Sequence, residues 1–203
     1  MNNKFRNFII KRTCDKTYKD YHSYKNDLEK DFHKRCAYCN LNKEMITSHF
    51  EIDHYIPRKI FEKVWPELET DYNNLILSCP KCNHVKGDKY QGDLSKKIID
   101  NELFYDPVKI DYATIFYRNE IGEIVSDDSK GRKMINLLEL YKPIHSLAFI
   151  CDFLKETIEK LESKISTLDE TSQLCIKFKD LLKSIKAYYS DCRDVFIANY
   201  NKK

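Results

Sequence analysis

The chain has 203 residues, of which 42% are hydrophobic and 33% charged, and its net charge is only +3 at neutral pH. This length suits one domain of moderate size or a small domain with an appendage, and the composition predicts a globular protein. No stretch approaches the roughly 18 consecutive apolar residues of a membrane span, and the charged start is unlike a signal peptide, so we expect a cytoplasmic location.

The small excess of positive charge lies in the first thirty residues, which contain eight Lys or Arg against four Asp or Glu. We predict a short strand or tether at residues 5–12 and a helix from Tyr18 to Lys34. A modest basic arm could contact phosphates, although a solvated charged surface explains the excess equally well.

Two C-x-x-C pairs enclose an insert of 39 residues: Cys36 with Cys39, and Cys79 with Cys82. Four thiolates at this doubled spacing are typical of a structural zinc site, in which each pair binds the metal from a tight turn. The alternative is four unrelated thiols or two disulfides, which the doubled spacing disfavours. The other four cysteines show no pairing pattern, as expected of reduced thiols.

The insert contains the polar side chains that can carry chemistry. Its alternating residues predict a strand from His49 to Asp53, with His54 immediately after it. A second strand is predicted from Asn74 to Ser78, and a helix is predicted to start just after Cys82, at Asn83.

The residue types of the insert can bind a divalent metal ion and activate a water molecule. The carboxylate of Asp53 and the amide oxygen of Asn83 are hard ligands that suit Mg²⁺ or Mn²⁺ and leave coordination positions open. A histidine is largely neutral at pH 7, so His54 could deprotonate a water molecule. An isolated Asp-His pair is usually an ordinary surface contact, but this pair is framed by both cysteine pairs.

In order and spacing these residues resemble the HNH nucleases, in the branch of the ββα-metal fold that adds a four-cysteine zinc. The resemblance implies that Asp53 and Asn83 hold one divalent ion and that His54 is the general base. It also implies that Asn74 braces the loop that holds His54, and that cleavage leaves a 5′-phosphate and a 3′-hydroxyl. The matched motif comprises the two cysteine pairs, Asp53-His54-x-x-Pro57, Asn74-Leu75 and Asn83 with Lys86-Gly87.

The last letter of the name HNH stands for a histidine at the last motif position. At that position this chain has Asn83, which is followed by His84. Adjacent residues of a helix point about 100° apart, so the two side chains cannot face the same ion. The register with Cys82 favours Asn83 as the ligand, and His84 remains the alternative. Candidates for contacts with the nucleic-acid backbone are Arg58, Lys59, Lys81 and Lys86.

The rest of the chain is predicted to be mainly helical. The predicted elements are a helix at Leu94–Asn101, an extended segment at Leu103–Pro107, a hairpin of Thr114–Arg118 with Glu123–Ser126 around Gly122, and a helix at Lys130–Leu140. Two amphipathic helices, Ile144–Ile165 and about Glu170–Tyr200, should pair antiparallel around a turn at Ser166–Asp169.

The predicted fold class is therefore α+β: an HNH ββα-metal core with a four-cysteine zinc, a small β-hairpin extension and a C-terminal antiparallel helical hairpin. The predicted divisions are a basic arm at residues 1–35, the core at 36–95, the extension at 96–142 and the helical hairpin at 143–203. The simpler explanation of that hairpin is that its apolar face packs on the core. The functional explanation is that it forms a docking surface for a partner protein or for a second copy.

The segment after the core resembles nuclease subunits of Septu-type antiphage systems, which act beside an ATPase subunit. With four glycines and no Walker motif, this chain requires that ATPase to be another protein. The leading hypothesis is a metal-dependent DNA endonuclease with one structural zinc. The alternatives are a stand-alone restriction-type HNH nuclease and a non-catalytic zinc module that binds nucleic acid or protein.

Overall fold

The computed structural model of the protein describes residues 4–200, which divide into two compact units, one ending at Lys142 and the other beginning at Pro143. The finer division predicted from the sequence stays a prediction. The α-helices of the described range are α1 (Lys25–Asp31), α2 (Arg58–Phe61), α3 (Pro80–Lys86), α4 (Ser129–Leu137), α5 (Pro143–Ile165) and α6 (Gln173–Tyr200). The strands are β1 (Glu51–His54), β2 (Leu75–Ser78), β3 (Tyr117–Arg118) and β4 (Ile124–Val125).

The centre of the first unit is the antiparallel pair of β1 and β2, followed by α3. The strands are in register with Glu51 opposite Ser78 and His54 opposite Leu75. All four residues of β2 are buried, because α1 packs against this apolar strand on the side away from solvent. The helix α3 packs against β1 and completes the predicted ββα fold, which is confirmed.

The start of α3 differs from the prediction. The helix begins at Pro80, with Cys79 as its N-cap, rather than just after Cys82. Proline is favoured at the first helical position because its fixed φ suits a helix and its missing N–H would have had no partner there. The helix ends at Lys86, and its C-cap is Gly87, whose φ of 47° is in the positive range that favours glycine.

Polar side chains shorten two predicted helices. The segment from Tyr18 to Lys34 forms a 3-10 turn at Tyr21–Tyr24, capped by Asp20, and only then α1. The segment Leu94–Asn101 contains only a 3-10 turn at Leu94–Lys96. There Asp93 accepts from the backbone N–H of Ser95, and buried Asn101 accepts from Gln91 and Leu103, so side chains compete with helical hydrogen bonds.

The rest of the first unit follows the predicted order with shorter elements. The segment Leu103–Pro107 makes turns rather than a strand. The hairpin of β3 and β4 is confirmed, with Gly122 at its bend in a left-handed conformation (φ 82°). Residues 5–12 form no strand, although Phe5 and Ile10 are buried.

The second unit is the predicted antiparallel pair of long helices, which is confirmed. The face of α6 that packs toward α5 repeats at alternating steps of three and four residues, as in a coiled coil. An ion pair of 2.6 Å between Lys186 and Glu162 links the two helices on one flank. The packed face of α6 consists of Cys175, Phe178, Leu182, Ile185, Tyr189, Cys192 and Phe196, all buried or half-buried. Over the described residues, neither helix is long and apolar enough to cross a membrane.

Candidate active site

The four predicted zinc ligands meet in one buried cluster. The sulfur atoms of Cys36, Cys39, Cys79 and Cys82 all lie within 4.8 Å of one another. The sulfurs of Cys39 and Cys79 are 3.8 Å apart. Two sulfurs bound tetrahedrally to one zinc ion at about 2.3 Å would be about 3.8 Å apart, so the cluster can hold a zinc ion.

Backbone geometry prepares each cysteine pair for this cluster. The first pair lies in a tight turn in which Asn40 adopts a left-handed conformation (φ 64°), and the N–H of Ala37 donates to the carbonyl of Leu77 in β2. The second pair occupies the N-cap and the first turn of α3. A metal at the cluster would therefore join the turn before β1, the end of β2 and the start of α3.

Two buried arginines that sequence reasoning missed support the first turn. The guanidinium of Arg6 donates to the carbonyl of Ala37 at 3.1 Å, and that of Arg118 donates to the carbonyl of Cys39 at 3.2 Å. Burial lowers the pKa of Arg6 to about 10, against the opposing effect of Tyr112, Asp111 and the cysteines. Both guanidiniums lie beside a site that becomes anionic when four thiolates bind one Zn²⁺.

The imidazole of His54 is held in one orientation at the end of β1. Its Nε2 lies 2.9 Å from the carbonyl oxygen of Glu69. A carbonyl oxygen can only accept, so Nε2 carries the proton and Nδ1 carries the lone pair in the neutral ring. The rings of Tyr21 and Phe61 pack on the imidazole with centroids at 4.9 and 5.5 Å. Burial lowers the pKa of His54 below 6.5, although the Glu69 carbonyl and Asp53 oppose this shift.

Asn74 is fully buried and holds the chain that leaves His54. Its side-chain oxygen accepts from the N–H of Ile56 at 2.8 Å, and its amide donates to the carbonyls of Ile56 and Leu68 at 3.3 and 3.2 Å. Its backbone carbonyl also accepts from the N–H of Tyr55 at 2.7 Å. These bonds connect Asn74 to the segment that follows His54, and its role as a brace stays a prediction.

Lys86 is placed inside this site, which corrects its assignment as a contact for nucleic acid. Its side chain is fully buried, and Nζ donates to Asp53 Oδ1 at 2.9 Å and to the carbonyl of His54 at 2.8 Å. The other oxygen of Asp53 accepts from the hydroxyl of Tyr38 at 2.6 Å. Burial and the neighbouring carboxylate raise the pKa of Tyr38 well above its usual value, so the hydroxyl remains a donor. A buried ammonium such as that of Lys86 needs a partner of opposite charge, and Asp53 is that partner.

Asn83 and His84 lie in different surroundings on α3. Asn83 Nδ2 donates to Glu51 Oε2 at 2.6 Å, which leaves the amide oxygen as the atom for a cation, while His84 is exposed. Asn83 shares a helix face with Lys86, and Glu51 shares a strand face with Asp53. Asn83 therefore faces the side of β1 that carries Glu51 and Asp53, and carboxylate and amide oxygens are donor types that suit a hard divalent cation.

Glu51 is a site residue that sequence reasoning did not select. Its two-residue spacing from Asp53 on β1 was the available signal, because such residues face the same side of a strand.

The other predicted cations lie at the rim of the site. Arg58 pairs with the carboxylate of Glu69 at 3.1 Å, and Lys59 pairs with Asp88 at 3.1 Å, with both lysine and arginine exposed. Lys81 is half-buried on the first turn of α3. Glu69 contacts Arg58 through its carboxylate and His54 through its backbone carbonyl.

Comparison with known proteins agrees with this geometry. Residues 36–89 match the HNH endonuclease family. The chain is 26% identical over 130 residues to the Septu protein PtuB of Bacillus thuringiensis, which covers 63% of this chain and 46% of that protein. It is 35% identical over 147 residues to the Septu protein PtuB of Bacillus mycoides (strain KBAB4), which covers 62% of this chain and 48% of that protein.

The chain thus spans about half the length of the curated relatives it matches. No solved structure matches it significantly. Residues 36–89 form an HNH endonuclease domain, and the resemblance to this family and to Septu proteins is confirmed.

Replacing a cluster cysteine should unfold the first unit. In Cys82→Ser a metal bound by the cluster loses one of four thiolates, so we expect bound zinc to fall well below one per chain and the melting temperature to drop by more than about 10 °C. Metal analysis and thermal unfolding measure both. Cys14→Ser, at a half-exposed thiol outside the cluster, is the matched control. A Cys82→Ser protein with unchanged melting temperature would contradict a structural metal site.

Proposed function

We propose that this chain, whose residues 36–89 form an HNH endonuclease domain, is a metal-dependent endonuclease that hydrolyses phosphodiester bonds in DNA. The observation that carries the proposal is the fixed His54 ring, whose Nε2–H is held by a backbone carbonyl and whose Nδ1 is left basic. The His54 ring follows Asp53 in the chain. In this proposal Asp53 supplies the first oxygen donor for a divalent ion and Asn83 supplies the second. A binding module needs the cysteine cluster but has no use for this oriented base.

The chain's own groups would act in a defined order. His54 Nδ1 accepts a proton from the water that attacks phosphorus, and the Glu69 carbonyl stabilises the resulting imidazolium through Nε2–H. Lys86 and Tyr38 keep Asp53 fixed during this step. Mg²⁺ or Mn²⁺ held by Asp53 and Asn83 would polarise the phosphoryl oxygen and stabilise the departing sugar oxygen. Zinc would occupy the thiolate cluster and serve structure alone, because thiolates suit zinc better than Mg²⁺.

The proposal extends to antiphage defence beside an ATPase subunit. Its support is the similarity to two Septu proteins PtuB, each of which the chain covers by less than half. Because these 203 residues contain no Walker motif, we assign ATP hydrolysis to a partner subunit. We assign the contact with that subunit to the second unit, from Pro143 onward. Arg58, Lys59 and Lys81 would bind the phosphates that flank the cut.

Loss of the His54 side chain should abolish cleavage without loss of the fold. We expect His54→Ala to reduce nicking of supercoiled plasmid in Mg²⁺ or Mn²⁺ by at least about 100-fold, because general-base catalysis is worth that much. Chelator should have the same effect on the unchanged protein. His49→Ala, at an exposed histidine just before β1, is the control and should retain activity.

An active, folded His54→Ala protein would disprove the assigned base. If the unchanged protein binds zinc but does not cleave, adding the ATPase subunit separates a gated nuclease, which then cleaves, from a binding module, which does not.

Neighbouring substitutions on α3 should separate the two possible ion ligands. Asn83→Ala removes the oxygen donor beside Asp53, so we expect the Mn²⁺ concentration for half-maximal cleavage to rise at least about tenfold. His84→Ala, one residue on and exposed, should leave it unchanged. The measurement is a titration of Mn²⁺ in the cleavage assay. The opposite result would make His84 the ligand.

The pH dependence of cleavage should reflect burial of His54. The base must be neutral, and burial lowers its pKa below 6.5, so activity is retained at pH 6.5 and lost only as the pH falls through that lower pKa. We expect the acid limb of kcat/KM to have its midpoint below 6.5. The limb should be absent from any residual activity of His54→Ala. A midpoint above 6.5 would show that the folded protein stabilises the imidazolium instead.

A further inference from the structure

A second apolar stripe runs along α6, separate from the face that packs toward α5. Leu174, Leu181, Tyr188 and Val195 recur at intervals of seven residues, and each is between 47% and 57% exposed. Each precedes a residue of the packed face by one position, so the stripe follows the opposite flank from Lys186 and its ion pair with Glu162. With a rise of 1.5 Å per residue, the stripe is about 32 Å long.

The polar residues beside this stripe have a matching arrangement. Lys177, Ser184 and Asp191 also recur at intervals of seven and border the stripe on its outer side. Lys177 lies seven residues before Ser184, and Asp191 lies seven residues after it. The stripe has the same centre, because the midpoint between Leu181 and Tyr188 lies beside Ser184. The border of the stripe therefore has a positive charge at one end, a negative charge at the other and a small side chain at its middle.

We propose that this stripe binds a second copy of the chain through an antiparallel, two-fold pairing of the α6 helices. A two-fold axis beside Ser184 sets Leu174 against Val195 of the other copy and Leu181 against Tyr188 of the other copy. The same axis sets Lys177 opposite Asp191, twice per dimer, and sets one small Ser184 against the other. A parallel pairing would instead place like charges together, at Lys177 and again at Asp191.

The ion pairs in this dimer can form only between copies. Lys177 and Asp191 are 14 residues apart, about 21 Å along one helix, so they cannot meet within it. Two helical hairpins joined in this way make a four-helix bundle, the usual arrangement for burying amphipathic helices. The dimer carries two copies of the HNH domain, and the ATPase subunit would then contact other faces of the second unit.

The oligomeric state of the full chain tests the apolar part of the proposal. We expect sedimentation equilibrium over a concentration series to show a reversible dimer. Leu181→Gln should abolish it, because each dimer loses two buried leucines. Ile176→Gln, at an apolar residue of α6 that is 51% exposed but outside the stripe, is the matched control and should dimerise normally. Circular dichroism establishes that each variant keeps its helices.

Charge reversal tests the antiparallel pairing. Either single variant, Lys177→Asp or Asp191→Lys, creates two repulsive contacts per dimer and should raise the dimer dissociation constant about tenfold. The double variant should restore the dissociation constant to within about twofold of that of the unchanged chain. A chain that is monomeric throughout the series overturns the proposal. So does a dimer that survives Leu181→Gln, or a double variant that dimerises no better than the single ones. None of these results depends on nuclease activity.

Discussion

The buried ammonium of Lys86 is the interaction on which the arrangement of the site depends. Nζ binds the carboxylate of Asp53 and the carbonyl of His54, and thereby fixes the last two residues of β1 against α3. Removing an ammonium from water is costly unless opposite charge and hydrogen bonds offset it, and here both are present. The pair is thus better explained as a device that sets the position of the helix on the strand than as a source of net stability.

The cysteine cluster and the lysine act at opposite ends of the same short helix. Cys79 and Cys82 hold the start of α3, and Lys86 holds its last turn. A helix of this length is not stable alone in water, so both ends need tertiary support. Asn83 lies between these two supports, which explains how its amide can be held in a fixed position against Glu51. Arg6 and Arg118 extend the support outward to segments distant in sequence.

The parts of this structure that could be predicted are those specified by local patterns. The cysteine spacing, the two short strands and the long amphipathic helices all lie within short stretches of sequence. The start of α3 was predicted too late, although Pro80 was a usable signal for a helix start. The burial of Lys86, the arginines under the first cysteine pair and the carbonyl that orients His54 depend on contacts across the fold. No local pattern marks them, and the chemical roles of the site residues stay predictions.

The hydrogen bond that orients His54 has a consequence for how this domain can vary. Its acceptor is the main-chain oxygen of Glu69, which every amino acid possesses. No single exchange of side chain at that position can delete the acceptor. What must be inherited is the path of the chain between α2 and β2, and Asn74 fixes that path by three bonds to backbone groups. The surface of this segment, including its charges, is thereby free to diverge while the His54 ring keeps its orientation.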